Sequence, residues 1–254
     1  MDSDRFNINE NRKHKEKHKM IDKKGIEAIA FDFGGTLDSP FKHWFTIYLE
    51  AYSKVLDTTV EKEQLLDAYI KTEQMLEREG LIASDFDLYQ TQLTKTNLQV
   101  EFLVEEDILP ISSPQECAEE VANYVTYYAT KWAQKSKPVL EYLKSKYRLF
   151  VVSNYYGNLE SVLEGLSLTS YFSSLTDSTV ANLRKPDPAL WQLAINQEGL
   201  QPENVLVVGD SLKNDILPAL SIGCQAIHGV ENIHTENTDG VIEITHLKQL
   251  LEIL

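Results

Sequence analysis

Four runs of unbroken apolar character constrain this chain most: "IEAIAFD" (26–32), "RLFVVSN" (148–154), "NVLVVGD" (204–210) and "CQAIHGV" (224–230). A strand with one wet face alternates apolar and polar residues. A run that is apolar throughout must be covered on both faces, which is the pattern of a parallel sheet between helix layers. Amphipathic segments at 137–147, 187–197 and 213–223 precede the last three runs, and such alternation implies right-handed crossovers. Weaker strands are predicted at 171–178 and 240–244, and "THLKQLLEIL" (245–254) reads as a closing helix. The predicted fold is α/β, a Rossmann-like doubly wound parallel sheet core.

Residues 41–132 break that rhythm. Helical periodicity fills 41–56, 60–79, 86–106 and 113–132, with no strand-like run between them. An all-α cap inserted after the first strand explains this best. The expected division is a charged tail at 1–24, a core at 25–40 and 133–254, and a helical cap at 41–132.

Charge narrows the partners. The net charge is −15, yet residues 1–24 carry +3, leaving −18 for the remainder. An acidic body repels nucleic acid and anionic membrane, so neither is expected as a partner. A phosphate site in such a body must be made locally positive. "RKHKEKHK" near the start reads as a solvated tail. No apolar run reaches the roughly 18 residues of a membrane span. Cys117 and Cys224 sit in no metal-ligand spacing and read as buried thiols of a cytoplasmic protein.

Ligands of open α/β sheets bind at the carboxyl ends of the strands. Three of the runs end there in polar residues: Asp32, Ser153 with Asn154, and Asp210. A fourth element, "LRKPDP" (183–188), adds Lys185. Two carboxylates, a hydroxyl–amide pair and a lysine at one edge suit a divalent cation plus a phosphoryl group, because Mg²⁺ prefers hard oxygens and commonly shares its shell with phosphate. Each piece also has a plain structural reading. Asp187 before Pro188 is a good N-cap, and Asp215 is an acid in a first helical turn. "NYYGN" (154–158) places Tyr155 and Tyr156 towards the cleft, to stack on a ring or pack on the cap. His43 and Trp44, in "FKHWF" (41–45), fall where a cap hinge would lie.

Four ordered segments resemble the motifs of the haloacid dehalogenase superfamily: "FDFGGTLD", "VVSN", "RKPDP" and "VGDSLKND". The resemblance covers about residues 26–245. It implies Asp32 as the nucleophile that takes the phosphoryl group, and Ser153 and Lys185 as holders of phosphate oxygens. Asn154 would help position Asp32 or the substrate. Mg²⁺ would be bound by Asp32, the Gly34 backbone carbonyl, Asp210 and Asp215. Most phosphatases of the family carry aspartate where this chain has Gly34, and that aspartate protonates the leaving oxygen. The metal site is therefore expected to survive while acid–base assistance, typically worth about 10² to 10⁴ in rate, is lost. Asp38 is the nearest other acid and reads as a turn or hinge residue. The expected activity is Mg²⁺-dependent hydrolysis of a small phosphorylated metabolite, slow on alkyl monoesters. Two alternatives stay open: a non-catalytic binding module, and a dehalogenase- or phosphonatase-like hydrolase. The phosphonatase chemistry would need a reactive cap lysine such as Lys42 or Lys54.

Overall fold

A computed structural model describes residues 21–56, 60–234 and 241–254. The expected basic tail falls almost wholly outside these residues. Six strands form one sheet: β1 (Ala28–Phe31), β2 (Arg148–Ser153), β3 (Leu175–Asp177), β4 (Val205–Gly209), β5 (Gln225–Gly229) and β6 (Ile242–Ile244). Their order is β3-β2-β1-β4-β5-β6, and every pairing is parallel. Ala28 is level with both Arg148 and Val205, so β1, β2 and β4 run in register and end together at one carboxyl edge.

The unbroken apolar runs have the predicted cause. In β1, Ile29 and Phe31 face one helix layer while Ala28 and Ala30 face the other, and all four are fully buried. The chain order of helices begins in the insert with α1 (Trp44–Val55), α2 (Lys62–Glu79), α3 (Leu88–Glu105) and α4 (Pro114–Lys144). It continues through the core with α5 (Leu159–Gly165), α6 (Ser178–Ala181), α7 (Pro188–Gln197), α8 (Leu217–Ser221) and α9 (Leu250–Ile253). The second half of α4, with α5 and α9, covers one face of the sheet; α7 and α8 cover the other. Asp187 caps α7 by accepting the Ala189 N–H, and Pro188 sits at the first helical position, as its sequence suggests.

The insert has its own core, built by Phe45, Tyr48 and Tyr52 of α1, Leu65 of α2, Leu103 of α3 and Val121 and Val125 of α4. Two segments predicted as separate helices, 113–132 and 137–147, are one helix of 31 residues. Pro138 lies inside it and removes one rung of the hydrogen-bond ladder. Packing on both sides of the proline outweighs that loss: Val121 and Val125 belong to the cap core, Val139 and Leu143 to the sheet layer. The expected cap boundary at 132/133 thus falls within a continuous helix. Of the predicted weak strand 171–178 only Leu175–Asp177 is extended, since Thr169–Tyr171 forms a 3₁₀ turn. The predicted helix 213–223 starts as a π-helical turn at Leu212–Ile216 before α8 begins.

Candidate active site

The carboxyl edge gathers the predicted residues. Lys185 Nζ is buried and donates to Asp32 Oδ1 at 2.7 Å, to Asp215 Oδ1 at 2.6 Å and to the Val152 carbonyl at 3.1 Å. Ser153 Oγ donates to the same Asp32 oxygen at 3.2 Å. Asn154 does not reach Asp32. Its amide clamps the backbone of Lys185 from both sides, with Nδ2 donating to the Lys185 carbonyl and Oδ1 accepting its N–H, each at 2.9 Å. Asn154 therefore sets where Lys185 starts. Asp215 accepts the Ser211 N–H on its other oxygen at 3.0 Å, and Ser211, rather than Asp210, caps the following turn through the Asn214 N–H.

Asp32, Asp210 and Asp215 offer carboxylate oxygens within 4.8 Å of one another. Asp210 is the least compensated, its carboxylate accepting the Thr36 hydroxyl at a long 3.4 Å. Burial, then Asp32 and Asp215, push its carboxyl well above the ordinary range. Burial also raises Asp32, to about 6, against the pull of Lys185. Burial draws the Lys185 ammonium down, but Asp215 and Asp32 outweigh it and hold the group charged. Three carboxylates against one ammonium leave excess negative charge in a buried place, which is costly until a cation joins them. The donors are all hard oxygens, so the set fits Mg²⁺. Gly35 makes room for this approach: its φ is +90°, and a Cβ there would lie 2.4 Å from Asp210 Oδ2.

At Gly34 the indole of Trp44 lies beside the place of a side chain, in ordinary contact range. A Cβ would meet Trp44 Nε1 at 3.5 Å and Cδ1 at 3.8 Å. That indole N–H is donated to Asp38 Oδ2 at 3.2 Å, while Asp38 Oδ1 accepts the Gly35 N–H at 2.7 Å. Asp38 is fully buried and does not line the cavity. It ties the turn after β1 to the first cap helix, as a hinge residue would.

Above the edge lies a cavity of about 200 Å³ lined by Asp32, Gly34, Ser153, Asn154, Lys185 and Asp210 on the core side. The cap side was not legible as a site. Glu73, Lys95, Tyr69 and Gln92 line it together with His43, Trp44 and Tyr156. A signal existed in α3, where Gln92, Lys95, Thr96 and Gln99 occupy core-facing positions that an ordinary amphipathic helix gives to apolar residues. Lys42 and Lys54 point elsewhere: Lys42 pairs with Glu50, and Lys54 lies over the Tyr124 ring.

A parallel α/β sheet with a carboxylate cluster and one buried lysine at its carboxyl edge defines a class of hydrolase core rather than a single enzyme. The match to known proteins narrows it. Residues 26–223 fit the model of the haloacid dehalogenase-like hydrolase family, so the chain belongs to that family. Among curated relatives it is 38% identical over 73 residues to haloacid dehalogenase-like hydrolase domain-containing protein 3 of Danio rerio, covering 29% of this chain and 30% of that protein. It is 40% identical over 93 residues to the phosphoglycolate phosphatase of Pasteurella multocida, covering 36% and 41% respectively. A full-length likeness, 27% identical over 90% of this chain and 100% of the other, is to the glyceraldehyde 3-phosphate phosphatase of Methanothermobacter thermautotrophicus. The chain spans only 30% to 46% of the length of the first four such relatives. Among solved structures, a dehalogenase with an intermediate complex superposes with TM-score 0.62 at 17% identity, over 91% of this chain and 97% of that one. At these identities the structural likeness establishes the fold.

Proposed function

We propose that this chain is a Mg²⁺-dependent phosphatase that works through a phosphoryl group carried on Asp32. The observation that supports it most is the contact of Lys185 with both Asp32 and Asp215, while Asp210 stands within one ion's reach and lacks a cation. Asp32 Oδ2, which neither Lys185 nor Ser153 engages, is the oxygen that would attack phosphorus as the ester P–O bond breaks. Lys185 and Ser153, which donate to the nucleophile at rest, would donate to phosphate oxygens as they approach. Water then attacks phosphorus and releases Asp32. Mg²⁺ held by Asp32, Asp210, Asp215 and the Gly34 carbonyl would supply charge compensation for the phosphoryl group.

A cavity of about 200 Å³ lies below the roughly 300–1,000 Å³ of sites for drug-sized ligands, which favours a small phosphorylated metabolite. The phosphatase names among the relatives agree with that class. An imine mechanism is not favoured. Lys95 is the cap lysine lining the cavity among the described residues; burial lowers its basicity, but Glu73 and the tyrosines override this and keep it charged rather than a free amine. The free, buried Cys117 and Cys224, with no described helix long and apolar enough to cross a membrane, support a cytoplasmic placement.

Acetyl phosphate, whose leaving group needs no proton, is the direct test. Release of phosphate should require Mg²⁺ and should fall by at least about a thousandfold in Asp32→Asn, as losing a nucleophile does. Undiminished turnover in that variant would refute the assignment, and ligand binding without any turnover would favour the binding module.

A further inference from the structure

The acid missing at Gly34 leaves a proton to be found, and the cavity's cap wall holds a closed triangle of polar groups. Lys95 Nζ lies 2.6 Å from Glu73 Oε1 and donates to Tyr156 Oη at 2.9 Å, while Tyr156 Oη donates to Glu73 Oε2 at 2.5 Å. Three helix faces and a core loop build it: Glu73 from α2, Lys95 from α3, Trp44 and Tyr48 from α1, and Tyr156 from the loop after β2. The ammonium sits among aromatic rings, with centroids at 5.1 Å (Tyr156), 5.7 Å (Tyr48), 5.8 Å (Tyr69) and 6.0 Å (Trp44). Its side chain is 6% exposed. Burying a lysine this deeply beside a half-buried glutamate is costly for stability alone, and all three polar groups line the same cavity as Asp32.

We infer that Tyr156 supplies the proton that residue 34 cannot, with Lys95 and Glu73 as its positioning residues. This rests on the phosphatase reading above. As Asp32 takes the phosphoryl group, the P–O bond to the leaving group breaks and its electron pair goes to the departing oxygen. The Tyr156 O–H gives that oxygen its proton, leaving a phenolate beside the Lys95 ammonium. In the second half, water attacks phosphorus, the Asp32–P bond breaks, and the water's proton returns to the phenolate. The phenol is regenerated and no further reagent is consumed. Burial, then Glu73, raise the phenol and keep it protonated at rest. Lys95, adjacent and charged, offsets the phenolate when it forms.

The readout is kcat/KM across acetyl phosphate, aryl phosphates and alkyl phosphates of rising leaving-group pKa, for the wild type and Tyr156→Phe in saturating Mg²⁺. Loss of the acid at residue 34 alone predicts slow turnover of alkyl esters; with the proton supplied by Tyr156 the wild type should instead show a shallow dependence. Tyr156→Phe removes one oxygen and should steepen it, losing about 10² to 10⁴ on alkyl esters while acetyl phosphate falls far less. The variant should also accumulate phosphorylated Asp32, because water activation suffers. Lys95→Met should steepen the dependence in the same sense. A steep dependence already present in the wild type, or one that is identical in Tyr156→Phe, would overturn the assignment of Tyr156 while leaving the phosphatase standing. A wild type inert towards acetyl phosphate would bring down both, and the two failures are thus distinct.

Discussion

Individual residues at the carboxyl edge trade stability for binding. Asp210 is a half-buried carboxyl crowded by Asp32 and Asp215, so Asp210→Asn should raise the melting temperature of the metal-free protein and abolish the Mg²⁺ response of that temperature. Thermal melts with chelator and with Mg²⁺ check both halves. Asp38 shows the cost of burial in another way. Burial lifts its carboxyl to about 7, although the Gly35 N–H and Trp44 indole bind the ionised form. A folded-state pKa above the unfolded one means the folded protein binds the extra proton, so stability is fully present below about pH 4 and is lost as pH rises towards 7. In chelator, Asp38→Asn should flatten that decline, as measured by urea midpoints from pH 4 to 8. An unchanged slope would show that Asp38 is not its source. The residue scale is also where sequence reading reached furthest. Asp32, Ser153 and Asp210 stand at strand ends or just after them, where position follows from topology, while Lys185 and Asp215 follow on the loop after α6 and on the helical turn after β4. Asn154 was legible as a site residue but not in its part, because clamping the backbone of Lys185 depends on a contact across 31 residues of chain.

Secondary elements decide how cap and core meet, and α4 carries most of that. Ser136, inside it, is buried and shares its hydroxyl between the Leu37 carbonyl at 2.9 Å and the Trp132 carbonyl at 3.1 Å. The first of these ties the helix to the turn that follows Asp32. Ser136→Ala should cost about 1–3 kcal/mol, because it strands a buried carbonyl, and equilibrium unfolding measures it. Leu103→Ala in α3 should cost about 2–5 kcal/mol as a cavity in the cap's own core. The sheet was readable from sequence because strands buried on both faces leave unbroken apolar runs. α4 was not, since Pro138 marks a break by local rules and only packing from two cores overrides it. The cap wall of the cavity was hidden for a related reason: Glu73, Lys95 and Tyr156 lie on three elements and become a cluster only when the helices pack. The polar stripe of α3 was the trace they left.

Taken as a whole, the molecule is an acidic body that brings two buried lysines, Lys95 and Lys185, to one cavity. The charge elsewhere repels polyanions, which suits a small phosphorylated ligand better than nucleic acid. Mg²⁺ at a hundred times its dissociation constant should stabilise the fold by about 2.7 kcal/mol, a rise of several degrees in melting temperature for a chain of this size. Calcium or sodium at equal ionic strength separates specific binding from screening. The central claim, that Asp32 accepts a phosphoryl group within a carboxylate-bound metal site, is tested most directly by acid-quenching the protein with acetyl phosphate and mapping the modified peptide. Phosphate on the peptide bearing Asp32, formed in Mg²⁺ and absent in chelator, is the predicted result; phosphate release that proceeds with Asp32 never modified would contradict it.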